Sequence, residues 1–361
     1  MSRRLVLTLG LLPIVAAGLL VDSPPPAYSA LSVVTAIPVS AHPERVVLNP
    51  VTHRLYVTHE DEDLLTVIDT KSKTVLLATT ICEDAWQVAV NTVTNKIYVG
   101  CRDQDVVAVV DGVTNAIALI PTIDNPNSVA VDEATNRYFV AEGGFGAQVR
   151  AYDGSTNSAI CTVSLAVGPD PLVDDSLAVN PNNGRVFVTL QGNGHWYSML
   201  DGSNCGILAN KLPLPCDRPW FPVYNPADNR FYGTRFLQST VLVADGTIGT
   251  PIACPGLGAG GGYGTAINVP AQVLYASMTN PARLYRVDLS GYPAGFTSPE
   301  FYTAGYELRG TAVDHNLCET FTAGYDVAQI LVLRDDPSQT DNDAPGGAFG
   351  GTPAWIAPAI C

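Results

Sequence analysis

Residues 88–115 read VAVNTVTNKIYVGCRDQDVVAVVDGVTN, and they decide the fold. Three apolar runs, 88–90, 96–99 and 106–110, are separated by turn chemistry. Asn91-Thr-Val-Thr-Asn95 reverses the chain after the first run and Asp111-Gly112 after the third. Asn, Asp and Gly tolerate the positive φ that tight hairpins need, so the stretch reads as three short antiparallel strands.

The unit recurs seven times. The polar residue closing each first strand is Asn49, Asn91, Asp132, Asn180, Asn225, Asn268 and Asp314, at gaps of 42, 41, 48, 45, 43 and 46 residues. Seven positions on stands an aromatic: Tyr56, Tyr98, Phe139, Phe187, Tyr232, Tyr275, Phe321. An Asp follows 13 or 14 residues later: Asp69, Asp111, Asp153, Asp201, Asp245, Asp288, Asp335. A period of about 40–50 residues with about four strands per copy is the mark of propeller blades. First strands that are apolar on both faces, with Ala89, Ala130, Ala178, Ala266 and Ala312 at their centres, suit a sheet packed between neighbours and tapering to an axis. The seven rings read as core rather than as a stacking platform. The expected fold is all-β: a seven-bladed β-propeller of four-stranded antiparallel blades.

Residues 31–39 (LSVVTAIPV) resemble the fourth strands near 74–81 and 116–123, whereas the seventh copy has three strands and no fourth. The N-terminal strand is therefore expected to complete the last blade and close the ring, which removes two sheet edges. Pro222 falls in the fifth inner strand, and blade four carries insertions around 170–175 and 192–196. The run GLGAGGGYG at 256–264 contains G-x-G-x-x-G but no helix follows, so it reads as a flexible inter-blade loop and not a dinucleotide site.

Residues 1–30 carry Arg3-Arg4, an apolar run at 5–20 and a small-x-small site at Ala27-Tyr28-Ser29, which is a secretory signal peptide. The propeller then spans 31–336 and a Pro/Gly-rich tail 337–361. No second apolar span follows, so the processed chain is expected outside the cytoplasm, without a membrane span and monomeric. Eight cysteines fit an oxidising compartment. Pairing in chain order is expected: Cys82–Cys101, Cys161–Cys205, Cys216–Cys254 and Cys318–Cys361. Net charge is −15, and loss of Arg3, Arg4 and Asp22 leaves −16. That charge disfavours nucleic acid and anionic lipid as partners.

The phrases Asn91-x-x-Thr-Asn-Lys-Ile-Tyr-Val99 and Leu55-Tyr-Val-Thr58, each followed by Val-Ile-Asp69 or Val-Val-Asp111, resemble the YVTN β-propeller repeat. The match covers nearly all of the processed chain and is strongest in the first three copies. Val273 and Glu319 replace the basic residue found at Arg54, Lys96, Arg137, Arg185 and Arg230. The resemblance implies a seven-bladed, exported or surface propeller, often with no assigned reaction. Some relatives bind nucleic acid, and some propellers of related pattern are enzymes.

Loops entering each inner strand rim the channel. The residue five before each anchor is Glu44, Trp86, Asn127, Asp175, Trp220, Tyr263 and Arg309; the other rim loops add His59, Glu60, Arg102, Glu142, His195 and Arg235. Aromatics and charges converging on a concave mouth form the expected ligand site. A basic-aromatic patch of Trp86, Trp220, Arg218, Arg235 and Arg309 is the one feature favouring single-stranded nucleic acid. No motif points to a metal, a cofactor or a catalytic triad. The leading expectation is a non-catalytic scaffold binding a small molecule or protein through the funnel. The alternatives are a lactonase-like hydrolase or lyase of a small cyclic substrate at the same funnel, and a structural envelope protein.

Overall fold

A computed structural model describes residues 31–335 apart from 144–147, 166–175, 191–195, 217–218, 237, 293–295 and 297–298. The described strands form seven four-stranded antiparallel sheets, six of them built in chain order from an innermost to an outermost strand. Blade one comprises Pro43–Asn49, Arg54–His59, Leu64–Asp69 and Thr74–Thr80; blade two comprises Ala85–Asn91, Lys96–Cys101, Val106–Asp111 and Ile117–Pro121. Blades three to six begin with inner strands Pro126–Asp132, Ser176–Asn180, Pro219–Asn225 and Gly261–Asn268.

Blade seven holds Leu308–Asp314, Glu319–Gly324 and Gln329–Arg334, and its outermost strand is the N-terminal Ser32–Pro38. Ile37 lies opposite Ile330 and Ala36 opposite Leu331. The first strand of the chain thus clasps the last, as the missing fourth strand required.

The core is divided among the seven gaps between blades. Each gap holds its own apolar cluster, including that between blades seven and one, where Ile37, Ala312, Phe321 and Val332 meet Leu48, Leu55 and Val57. All seven repeat aromatics are at most 2% exposed. Where the inner strands of blades seven and one meet there is no room for a side chain: a Cβ on Gly310 would lie 2.8 Å from the Arg45 Cα.

The recurring polar residues latch blade to blade. Asn91 Oδ1 accepts the Val93 and Thr94 N–H groups at 3.0 Å, closing its own turn, while its Nδ2 donates to Asn136 Oδ1 of blade three. Asn49 reaches Asn95 and Asn180 reaches Asn229 in the same way. The Asp of the third strand accepts two turn N–H groups, as Asp111 does from Val113 and Thr114. In blades one to three the basic residue opening the second strand crosses to the next blade: Arg137 donates to the Gly202 carbonyl at 2.7 Å, Lys96 to that of Gly154 and Arg54 to that of Gly112, whereas Arg185 pairs with Asp201 of its own blade. The repeat signature is therefore turn chemistry plus a blade-to-blade tie.

Disulfides join Cys82 to Cys101, Cys161 to Cys205 and Cys216 to Cys254. Cys161–Cys205 staples the outer strand of blade three to blade four. Cys318 is disulfide-bonded, and Cys361 lies outside the described residues, as do the leader and the tail from 336 onward. One expectation needs correction. The Gly-rich run is not all loop: Gly261–Gly264 opens the inner strand of blade six, where glycine lets neighbouring backbones approach. A Cβ on Gly264 would lie 2.7 Å from the Arg309 carbonyl oxygen.

Candidate functional site at the channel mouth

Among the described residues, six inner strands bulge near the channel mouth. In blade one Pro43 pairs with His59 and Val46 with Val57, so Glu44 and Arg45 oppose Thr58 alone. The same irregularity falls at Trp86–Gln87, Asn127, Phe221–Pro222, Tyr263 and Arg309–Gly310. A bulge leaves the extra residue unpaired and re-aims its side chain. This turns a set of strand residues into a convergent mouth. In five blades the bulge takes in the residue five before the anchor. In blade five it comes one residue later. Phe221 therefore occupies the rim position, held at φ 49°, a strained conformation for a bulky residue. Pro222 is tolerated because a bulge needs no ladder N–H there.

That shift puts Trp220 into the core. It is 7% exposed, stacks on Phe236 at 4.1 Å and meets Tyr263 edge-on at 5.9 Å. Other expected rim residues are also packed inward. His59 is fully buried, with Nδ1 2.8 Å from the Ala41 carbonyl and Nε2 2.9 Å from Thr66 Oγ1. Burial pushes its imidazole below the usual range, against the hydrogen bond to Ala41. Glu142, 1% exposed, sits 3.7 Å from Arg150, and burial raises its carboxyl. Arg235 is buried and donates to Thr240 at 2.7 Å. Asn127 is buried on the blade-three bulge. Asp175, His195 and Arg218 lie outside the described residues.

Glu44, Trp86, Tyr263, Arg309, Arg102 and Glu60 do come together, joined by Arg45, Phe221, Asp84, Glu307 and Tyr325. Arg45 leaves blade one and crosses the axis. Its guanidinium lies 3.7 Å from the Phe221 ring centroid in blade five and 4.6 Å from that of Trp86 in blade two, and donates to the Tyr263 carbonyl in blade six at 2.9 Å. Arg102 covers Trp86 at 3.9 Å and pairs with both Asp84 oxygens, at 2.7 and 2.9 Å. Arg309 stacks on Tyr325 at 3.4 Å and pairs with Glu44, with Glu60 at 3.2 Å and with Glu307 at 2.7 Å. Glu44 is fully buried and also holds Arg45 Nη2 at 2.9 Å.

The result is a roof of alternating guanidiniums and rings, Arg102–Trp86–Arg45–Phe221, laid across the channel. Burial raises the Glu44 carboxyl against the pull of both arginines, and lowers the Arg45 guanidinium to about 10 despite Glu44. Behind the roof is a cavity of about 280 Å³ walled by the inner strands of all seven blades. Arg45 is the one charged residue on its described wall, which is otherwise apolar, with Phe221 and Tyr263 among aliphatic residues, apart from Gln87, Ser128, Ser176 and two threonines. Arg45, Phe221, Glu307 and Tyr325 were not singled out by sequence reasoning. An arginine inside the apolar strand Pro-Glu-Arg-Val-Val-Leu was the available signal for the first. For Phe221 the available signal was Pro222, which an inner strand accepts at a bulge. No group of three or more His, Cys, Asp and Glu able to hold a metal occurs among the described residues.

No family model and no curated protein matches the chain. Among solved structures, hydrazine synthase of Kuenenia stuttgartiensis superposes with a TM-score of 0.69, covering 81% of this chain and 95% of that one at 14% identity. A likeness at that identity shows the fold alone. The seven-bladed architecture implied by the YVTN resemblance is the observed one, and three disulfides agree with an oxidising compartment. No described helix is long and apolar enough to cross a membrane.

Proposed function

We propose that the protein is an exported, non-catalytic binding scaffold of YVTN type that takes its ligand at the central channel, with the roof of Arg102, Trp86, Arg45 and Phe221 as the recognition element. The observation that carries this reading is the buried ionic cluster over the cavity. Taking an ion out of water costs several kcal/mol, and buried pairs are commonly no better for stability than apolar residues of equal volume. Glu44 and Arg45 are at most 3% exposed, and a propeller needs neither charge to close. Charge held against that penalty, on a bulge beside a cavity at the channel mouth, marks a site shaped for binding.

The test is native mass spectrometry of the protein purified from the extracellular fraction of its own host, without denaturation. The expected result is a small molecule retained by the wild type and lost on Trp86→Ala together with Arg102→Ala. Retention unchanged in that double variant would place binding elsewhere. Turnover in a broad hydrolase and lyase screen would replace the scaffold reading by the enzymatic one. N-terminal sequencing of the same material should begin close to residue 30.

A further inference from the structure

We infer that the channel behind the roof is a receptor for a small organic carboxylate, held by Arg45. This rests on the reading of the channel as the binding site and names its ligand class. Arg45 is 3% exposed, yet two of its nitrogens, Nε and Nη2, make no hydrogen bond. Nη1 is engaged by the Tyr263 carbonyl. Nη2 lies 2.9 Å from Glu44 Oε1 as an ion pair without hydrogen-bond geometry. The Nε–Nη2 edge is the side of a guanidinium that matches the two oxygens of a carboxylate. A buried donor left unmade costs about 1–3 kcal/mol, more when charged. An unused cationic edge beside a cavity therefore points to an acceptor supplied from outside.

Arg309 is already matched by Glu44, Glu60 and Glu307, so Arg45 is the cation that faces the cavity. The described cavity wall offers no carboxylate to compensate. A cation entering this space would be repelled by Arg45, whereas an anion would meet the Nε and Nη2 donors whose hydrogen bonds are unmade. Gln87 supplies the second polar contact. It lines the cavity and its Oε1 is buried without a partner, so it can accept from a hydroxyl or amide N–H on the ligand body. The aliphatic strands receive the rest. At about 280 Å³ the cavity is at the small end of ligand pockets, so the occupant is a small molecule.

The experiment titrates the full-length secreted protein with three isosteres, benzoate, benzamide and benzylammonium, by calorimetry and by Trp fluorescence. Benzoate is expected to bind with one-to-one stoichiometry, at least about tenfold tighter than benzamide, with benzylammonium excluded. Arg45→Gln should weaken benzoate by about 10- to 100-fold, the range of a lost charge-assisted hydrogen bond, and leave benzamide nearly unchanged. Because Arg45→Gln also disturbs the ionic cluster, a second variant, Ala312→Leu, fills the cavity and leaves every charge in place; it should abolish binding of both. Benzamide or benzylammonium equal to benzoate, or no benzoate binding at millimolar concentration, would overturn the carboxylate assignment. In that event a host-derived small molecule lost on Ala312→Leu would still uphold the channel as the site. Benzoate affinity untouched by both variants would overturn the two readings together.

Discussion

Replacing Trp220 by alanine separates the core from the mouth. The ring is 93% buried, given its 7% exposure, between Phe236, Phe221 and Tyr263. Burying a ring of about 150–250 Å² is worth about 4–6 kcal/mol at about 25 cal/mol per Å². Alanine keeps a little of that, and mutational series place such truncations at about 3–5 kcal/mol. Over roughly 300 residues an unfolding entropy of about 2.1 cal/mol/K per residue gives about 0.6 kcal/mol/K, so Tm should fall by about 5–8 °C. Differential scanning calorimetry of the oxidised protein reads this directly. Trp86→Ala is the control. Its ring is partly exposed and is held by two guanidiniums, contacts worth about 0.5–2 kcal/mol each. It should shift Tm by less than Trp220→Ala while removing ligand capture. A Trp220→Ala protein that melts within about 1 °C of wild type and loses ligand would refute the argument that the bulge slipped by one residue in blade five.

Cys161→Ala with Cys205→Ala opens a loop with a sequence separation of 44; chain entropy sets the loss at about 4 kcal/mol. Calorimetry should show it as a fall of about 6 °C, and a Tm insensitive to the change would mean the blade-three to blade-four staple constrains nothing. Deleting residues 31–39 uncovers the outer edge of blade seven and the Ile37 contact, so the melting temperature should drop sharply and unfolding lose its cooperativity; an unaltered melt would exclude the clasp. His59 is buried with its pKa pushed below 6.5. A depressed folded pKa means its contribution is present above pH 6.5 and is lost as pH falls through the lowered value. Urea titrations of His59→Phe should therefore show a shallower stability loss on acidification below pH 6.5 than wild type. Parallel profiles would mean that the imidazole is not held neutral by the fold.

Much of the architecture was legible because it follows from local chemistry repeated seven times. Asn91 and Asp111 fix turns through contacts two and three residues away, and the Tyr98 ring fills a gap that every copy shares. Closure by the N-terminal strand followed from counting, since blade seven lacked its fourth strand. The mouth was legible only in part. Position five before the anchor located Glu44, Trp86, Tyr263 and Arg309, because the bulge there recurs in five blades.

What the chain alone determined, then, is the unit, its number and the way the ring shuts, for these depend on neighbours in sequence and on a common period. What the tertiary structure decided is which side chains meet across the axis. Arg45 and Phe221 are 176 residues apart and belong to blades on opposite sides of the hub. Their contact depends on a one-residue slip in a bulge and on the radius of the closed ring. The first is confined to the strand pairing of blade five, and the second belongs to the whole ring.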